Sequence, residues 1–211
     1  QKLLKVLGQL DTLVTQSLID KLIVKMSNNE LDPNLHLDLS EAVAATHSEY
    51  LNVQLAGLVT NESADFDEAM YGGSISSGRN YFYEGSAGQC VRCHGVEKGS
   101  VGVGPNLRNI GGLLTRQQLL EALVEPSKRL SPGYGIVTLT LKGGQVVAGI
   151  LMEENDEALI LKTAEAEPMK ISTERIETRT NAPSSMPSMG QIMTKREVRD
   201  VVAFLASLKE D

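Results

Sequence analysis

Cys90-Val91-Arg92-Cys93-His94 is the stretch of sequence on which the interpretation of this chain depends. The spacing C-x-x-C-H is the attachment sequence of c-type haem, in which two thiols form thioethers with the porphyrin. The imidazole that follows directly is then held against the iron as an axial ligand. The motif therefore predicts one covalent haem c, attached at Cys90 and Cys93 and ligated by His94.

Two closely spaced cysteines allow three other interpretations. A structural zinc site normally needs four ligands at paired spacings, and the chain has only two cysteines. A thioredoxin-like redox pair would open a helix after a strand, whereas Cys90 follows the short, small-residue stretch 85–88. A metal-free interaction module would leave both thiols without a role. Covalent haem is the interpretation that the sequence favours.

The turn Gly104-Pro105-Asn106-Leu107, ten residues beyond His94, predicts support for that ligand. A ligating imidazole normally donates from its other ring nitrogen, and this bond fixes the orientation of the ring. We expect the carbonyl oxygen of Pro105 to accept this hydrogen bond.

A second iron ligand is expected from Ser185-Met186-Pro187-Ser188-Met189, far along the chain. Proline stiffens the loop and limits how far a neighbouring thioether can withdraw. We favour Met186 as the distal ligand, and Met189 stays open as the alternative. The predicted metal ligands are thus His94 and Met186.

Helical patterns surround these motifs. Gly78 and Phe82 share one helical face, and the capping boxes at Thr115 and Thr194 predict two further helices. Between these helices, residues 133–181 contain four or five short β-branched or aliphatic runs separated by turns. Residues 184–190, which contain Met186 and Met189, are called the methionine loop here. The β-rich part predicts a small SH3-like or Sm-like barrel inserted before this loop, with an open β-meander as the alternative.

The first seventy residues follow a different pattern. Apolar residues recur at helical spacing in two long runs, from Leu3 to Met26 and from Leu39 to Leu58. Such antiparallel helices are typical of the end of a HEAT-like repeat array. His47 is expected in the apolar core and His36 in a loop.

From Gly78 to Leu208 the chain resembles the class I-like haem-binding domain at the C-terminus of large secreted bacterial proteins that combine HEAT repeats with dehydrogenase-like β-propellers. The resemblance implies a mainly α fold: a class I cytochrome c helical fold with an inserted small SH3/Sm-like β-barrel, preceded by a HEAT-like helical segment. Its expected domains are 1–70 and 71–211, with the insertion at about 133–181. The matching residues are Gly78, Arg79, Phe82, Cys90 to His94, Val103 to Leu107, Glu125, Pro126, Ser127, Pro132, Gly133, Tyr134, Gly144, Gly149, Ser185, Met186, Pro187, Lys195, Arg196, Glu197, Phe204 and Leu205.

The function implied by this resemblance is electron transfer by a single haem, without an enzymatic activity of its own. The partner would be a redox protein or a fused dehydrogenase domain, and the acceptor a periplasmic protein. The alternative is a haem-based gas sensor or haem enzyme in which the methionine ligand is displaced. Covalent haem attachment implies a periplasmic or exported protein, and the chain is expected to be part of a longer polypeptide.

The net charge of −7 lies entirely in the N-terminal part, since residues 1–70 hold 4 basic and 11 acidic residues. Residues 133–181 carry −3 and the other residues beyond 70 carry +3. No basic cluster interleaved with aromatic residues is present, which argues against a nucleic-acid partner. No apolar run reaches the length of a transmembrane segment.

We expect the insertion to shape haem access and partner docking, or to act only as a cover, without binding haem itself.

Overall fold

The structure of the protein is a computed structural model that describes residues 2–58, 66–85, 88–100 and 102–210. Within these residues it contains eight α-helices and five β-strands. The helices are α1 Lys2–Leu10, α2 Leu13–Ser27, α3 His36–Ala45, α4 Glu49–Ala56, α5 Ile75–Glu84, α6 Ile110–Leu113, α7 Arg116–Val124 and α8 Lys195–Ser207. The strands are β1 Ile136–Leu141, β2 Val146–Glu154, β3 Ala158–Lys162, β4 Met169–Ser172 and β5 Ile176–Asn181.

The expected mainly α, class I cytochrome c fold is wrong as a description of this chain. Helices account for 47% of the chain and the five-stranded antiparallel sheet for 15%, so the fold is mixed. The physical reason is that residues 136–181 bury an apolar core of their own. The sheet is therefore a structural unit beside the helices, and the helices do not set the fold class alone.

The sheet has the strand order β4-β3-β2-β1-β5, and all of its neighbouring strands are antiparallel. Gly143 and Gly144 form the turn between β1 and β2 with positive φ angles, which glycine adopts without steric cost. Alternate residues of β1 face the sheet core, with Val137, Leu139 and Leu141 buried. β4 and β5 are the two ends of this order and do not pair with each other in the described chain, and the strands share one apolar core, so the SH3-like or Sm-like barrel stays a prediction.

Close packing of α5 on α8 forms the centre of the helical core near the cysteine motif. A Cβ atom at Gly78 would lie 1.9 Å from the backbone oxygen of Asp200, so only glycine permits this approach. One turn along α5, the Phe82 ring lies 5.5 Å from the ring of Phe204 on α8. The shared face of Gly78 and Phe82 is thus the face that meets α8.

The N-terminal part contains four helices where the sequence pattern predicted two long runs. Thr12 caps α2 and forms a capping box with Thr15, so the first run is broken after α1. His47 has a φ of 54° between α3 and α4 and is exposed, so its expected core position is wrong. The left-handed backbone conformation of His47 changes the direction of the chain, so its side chain does not lie on the buried face. His36 begins α3, whereas a loop was expected.

A buried ion pair connects α3 with α8. The Asp38 carboxylate accepts hydrogen bonds from Arg196 and Arg199, each at 2.9 Å, and Arg196 also contacts Glu41. These contacts join the N-terminal helices to the helix that forms one wall of the site described below. No described helix has both the length and the apolar character that crossing a membrane requires.

Candidate functional site

One cavity of about 210 Å³ gathers the residues that the sequence analysis singled out. Cys90, Cys93 and His94 line it, together with Pro105, Met186 and Met189. Most of the remaining wall is apolar. These apolar wall residues include Phe82, Leu107, Ile110, Leu114, Leu119, Leu123, Val201 and Leu205.

The cysteine motif is built on one short 3₁₀ turn, Cys90–Arg92. Gln89 enters this turn with a φ of 41°, and the amide of His94 donates to the Cys90 carbonyl at 2.9 Å. The tight turn brings both thiols and the imidazole to the same cavity. Cys90 is half-buried and Cys93 is exposed.

His94 is held by a hydrogen bond and by close packing. Its Nδ1 lies 2.8 Å from the carbonyl oxygen of Pro105, which is the contact that the sequence predicted. A carbonyl oxygen only accepts, so Nδ1 carries a proton, and in the neutral imidazole Nε2 is then the nitrogen with the free lone pair. A Cβ atom at Gly104 would lie 2.7 Å from the ring, so glycine allows the backbone to pack against the imidazole.

Hydrogen bonds of the Asn106 side chain stabilise the loop that follows the cysteine motif. Its Nδ2 donates to the carbonyl oxygens of Glu97 and Ser100, and its Oδ1 accepts from the amide of Arg108. The amide of Gly104 also donates to the Cys93 carbonyl at 2.9 Å. These bonds keep Pro105 in register with His94.

The methionine loop is hydrogen-bonded on both sides of Met186 to the C-terminal end of α7 and to the residues that follow it. The Ser184 amide donates to Ser127 Oγ at 3.0 Å, and Ser188 Oγ donates to the Val124 carbonyl at 2.6 Å. Because bonds flank Met186 on both sides, the position of its backbone is restricted.

The two candidate methionines differ in their surroundings. Met189 is 4% exposed and belongs to the apolar core around α8. The Met189 sulfur lies near the Cys90 thiol. Both are close to Gly88, where an added Cβ atom would be 3.4 Å from Cys90 Sγ and 4.0 Å from Met189 Sδ. Met186 is half-buried in the fastened loop. Moving Met189 would disturb the core, whereas Met186 lies at the edge of that core, packed against it but only partly buried.

The electrostatics of the motif differ from those of a redox-active cysteine pair. Burial raises the pKa of the Cys90 thiol above its ordinary value, and the nearby Cys93 raises it further. Reactive redox cysteines have a lowered pKa instead. In the described part of the chain, no three His, Cys, Asp or Glu side chains converge to hold a metal ion, so Cys90, Cys93 and His94 do not form a zinc chelate.

Several wall residues were not identified from the sequence as part of the site. Arg129, Ser131 and Tyr134 lie between α7 and β1 and line the cavity. Tyr134 falls within the insertion, which was expected not to bind the cofactor itself. Two sequence signals were available: Arg129 lies two residues after the Glu125-Pro126-Ser127 motif, and Tyr134 is itself among the residues that carry the resemblance.

No protein-family model matches this chain, and no curated protein matches it. The function is therefore argued from the residues and their arrangement.

Proposed function

We propose that this chain binds one haem covalently in the cavity and acts as a single-electron carrier. The observation that supports it best is the convergence of the C-x-x-C-H motif with the methionine loop on one apolar cavity. The donor set of two thiols, an imidazole and a thioether is that of a c-type cytochrome. The His94 ring occupies the space that a side chain at position 104 would need. This close packing is what an imidazole held rigidly for ligation requires.

Each residue has a definite part in this proposal. Cys90 and Cys93 hold the cofactor by thioether bonds, and His94 offers Nε2 because Nδ1 donates to Pro105. Met186 offers its thioether from the fastened loop, and the apolar wall excludes water. When bound, haem supplies a one-electron iron couple. The reduction potential is raised by methionine ligation and by burial.

The proposal extends to a partner and a compartment. We propose a redox protein or a fused dehydrogenase domain as the electron donor, in the periplasm or another exported location. This rests on the resemblance stated above, which stays a prediction, and on the chemistry of covalent haem attachment. Surface charges of opposite sign on the insertion and on the haem-carrying segments would act mainly on the rate of encounter.

The first prediction is that haem cannot be extracted from the protein. After expression with c-type haem attachment, haem should stay with the chain through acid-acetone extraction and denaturing electrophoresis, because thioethers survive both. Cys90→Ser with Cys93→Ser should abolish this retention.

Matched histidine variants separate ligation from attachment. His94→Ala should lose the low-spin spectrum, whereas His47→Ala, at an exposed position outside the cavity wall, should keep it. Extraction of free haem from a chain with both cysteines intact would refute covalent attachment.

The second prediction identifies the distal ligand. Met186→Ala should abolish the sulfur-to-iron charge-transfer band of the oxidised protein and lower the potential by on the order of 0.1 V, since axial ligands tune it over a wide range. Met189→Ala should keep the band while lowering stability, because Met189 is part of the core. Met152→Ala, on the exposed face of β2, is the control. The opposite pattern, with the band lost only in Met189→Ala, would reverse the assignment. Retention of the band in all three variants would exclude both candidates.

A further inference from the structure

The charge of the cavity wall points to the kind of ligand that it accepts. No Asp or Glu side chain lines the cavity among the described residues, whereas Arg129 does. Arg129 is the one guanidinium or ammonium group in this wall, and it has no ion-pair or hydrogen-bond partner within the described chain. The wall therefore combines a large apolar area with one unpaired cation.

Hydroxyl groups in the wall come from two segments of the chain. Ser131 and Tyr134 lie on the Arg129 segment, and Ser184 and Ser185 lie on the methionine loop. The Ser184–Ser127 hydrogen bond joins these two segments. Helices α5 to α8 supply mainly apolar side chains to the same wall. The cavity thus suits a largely apolar ligand that carries an anionic group.

The segment that carries Arg129 is held by the sheet. Leu130 is buried in the sheet core, and the Asn181 amide donates to the carbonyl oxygens of Ser127 and Lys128, each at 3.0 Å. The amide of Gly133 donates to the Leu151 carbonyl of β2. The backbone on both sides of Arg129 is therefore fixed, although its side chain is exposed.

We propose that Arg129 pairs with a carboxylate of the bound cofactor, which is a haem propionate in the haem-loaded protein, with Tyr134 and Ser131 as hydroxyl donors beside it. This inference rests on the proposed function. It gives the start of the insertion a direct binding role in addition to a covering one. An anion beside an unpaired guanidinium forms a charge-assisted hydrogen bond, for which the planar arginine head is well suited.

The test measures the pKa of each propionate directly in the holoprotein. Haem labelled with ¹³C in its propionate carboxyl groups is incorporated, and the carboxyl shifts are followed by NMR against pH. In the unaltered protein one propionate should titrate below the value of about 4.3 that an ordinary alkyl carboxylate shows. Arg129→Gln should raise this midpoint by about one pH unit. This is the lower end of the range by which an adjacent cation lowers the pKa of a carboxylate, because solvent and salt screen an exposed pair. Arg129→Lys should restore part of the shift.

The matched control is Arg175→Gln, which removes the same charge from an exposed position of the sheet unit outside the cavity wall. Other titratable groups of the wall are His94, Cys90 and Cys93, which the cofactor uses, and Tyr134. Glu125 and Glu121 beside the segment both pair with Lys128. Equal propionate pKa values in Arg129→Gln and Arg175→Gln would overturn the Arg129 assignment alone. Absence of covalent haem from the unaltered chain would overturn the proposed function, and this inference with it.

Discussion

Replacing Gly78 with alanine is expected to lower the free energy of unfolding by roughly 3 kcal/mol, the upper end of what overpacking usually costs. An added Cβ would lie 1.9 Å from the Asp200 carbonyl oxygen and 2.8 Å from Phe204 Cβ. Backbone atoms of α8 cannot rotate away as a flexible side chain can, so α5 and α8 must separate. At an unobstructed helical position the same change would instead stabilise the helix by up to about 1 kcal/mol.

The consequence reaches the cavity, because α5 contributes Phe82 to its wall and α8 contributes Val201 and Leu205. Denaturant unfolding measures the loss of stability, and in the haem-loaded protein that we propose, the reduced absorption spectrum would also report the change at the cavity. Gly57→Ala is the matched control, since the nearest atom to its added Cβ is 3.5 Å away and its backbone is helical. If both variants were equally stable, the close approach of α5 and α8 would be disproved.

Patterns with a short period were sufficient to locate the sheet. The alternation in Ile136–Leu141 and the two glycines after Lys142 indicate a strand followed by a hairpin turn, and β1 covers Ile136–Leu141. The strands could be found because side chains alternate between the two faces, and turn sequences such as Gly143-Gly144, the polar run 154–157 and the segment around Pro168 mark the breaks. Whether the sheet closes depends on distant pairing between β4 and β5, which no local pattern encodes.

Breaks in the N-terminal helices were harder to predict. Asp11 and His47 have positive φ angles, which are uncommon for residues other than glycine. Their neighbours keep a helical apolar period across each break, so hydrophobicity alone suggested two long runs. The helix caps at Thr12 and Ser48 were the available signals, and each required the local hydrogen bonds to be recognised.

The candidate site shows the same division between local and distant information. The C-x-x-C-H motif and its Pro105 partner are close in sequence and could be predicted from spacing, and their contact is present. Arg129 has no motif of its own, because its position depends on Leu130 entering the sheet core and on Asn181 crossing from β5. Such placement is a property of the tertiary fold.

Removal of the Asp38 charge is expected to cost about 3–5 kcal/mol of unfolding free energy, as when one partner of a buried ion pair is lost. Asp38 is 4% exposed and Arg199 is 2% exposed, so neither charge is well solvated. Arg199 Nε already lacks a hydrogen-bond partner among the described residues. Asp38→Asn would leave this buried guanidinium with only the more distant Asp200 carboxylate, 4.0 Å from Nε, as a counter-charge. The measurement is denaturant unfolding at neutral pH.

Glu41→Gln is the control for this prediction. Glu41 also contacts Arg196, but it is exposed, and exposed pairs contribute at most about 1 kcal/mol. Equal losses of stability in Asp38→Asn and Glu41→Gln would show that burial of the pair does not matter. A larger loss in Asp38→Asn would instead identify Asp38 as the residue that fixes α3 against the cavity helix α8.

The pH dependence of stability provides an independent measure of the same ion pair. Burial alone would raise the pKa of Asp38, but the hydrogen bonds and charges of Arg196 and Arg199 outweigh it and hold the pKa below 3.8. The carboxylate therefore contributes its full stabilisation above the unfolded-state value near 3.8, and this contribution is lost as the pH falls through the lower folded value. The stability difference between the unaltered protein and Asp38→Asn should shrink over this acidic range. It should stay constant from pH 5 to 8, because Asp38 is ionised in both folded and unfolded states there. A difference that did not change down to acid unfolding would mean that the Asp38 charge contributes nothing to holding α3 on α8.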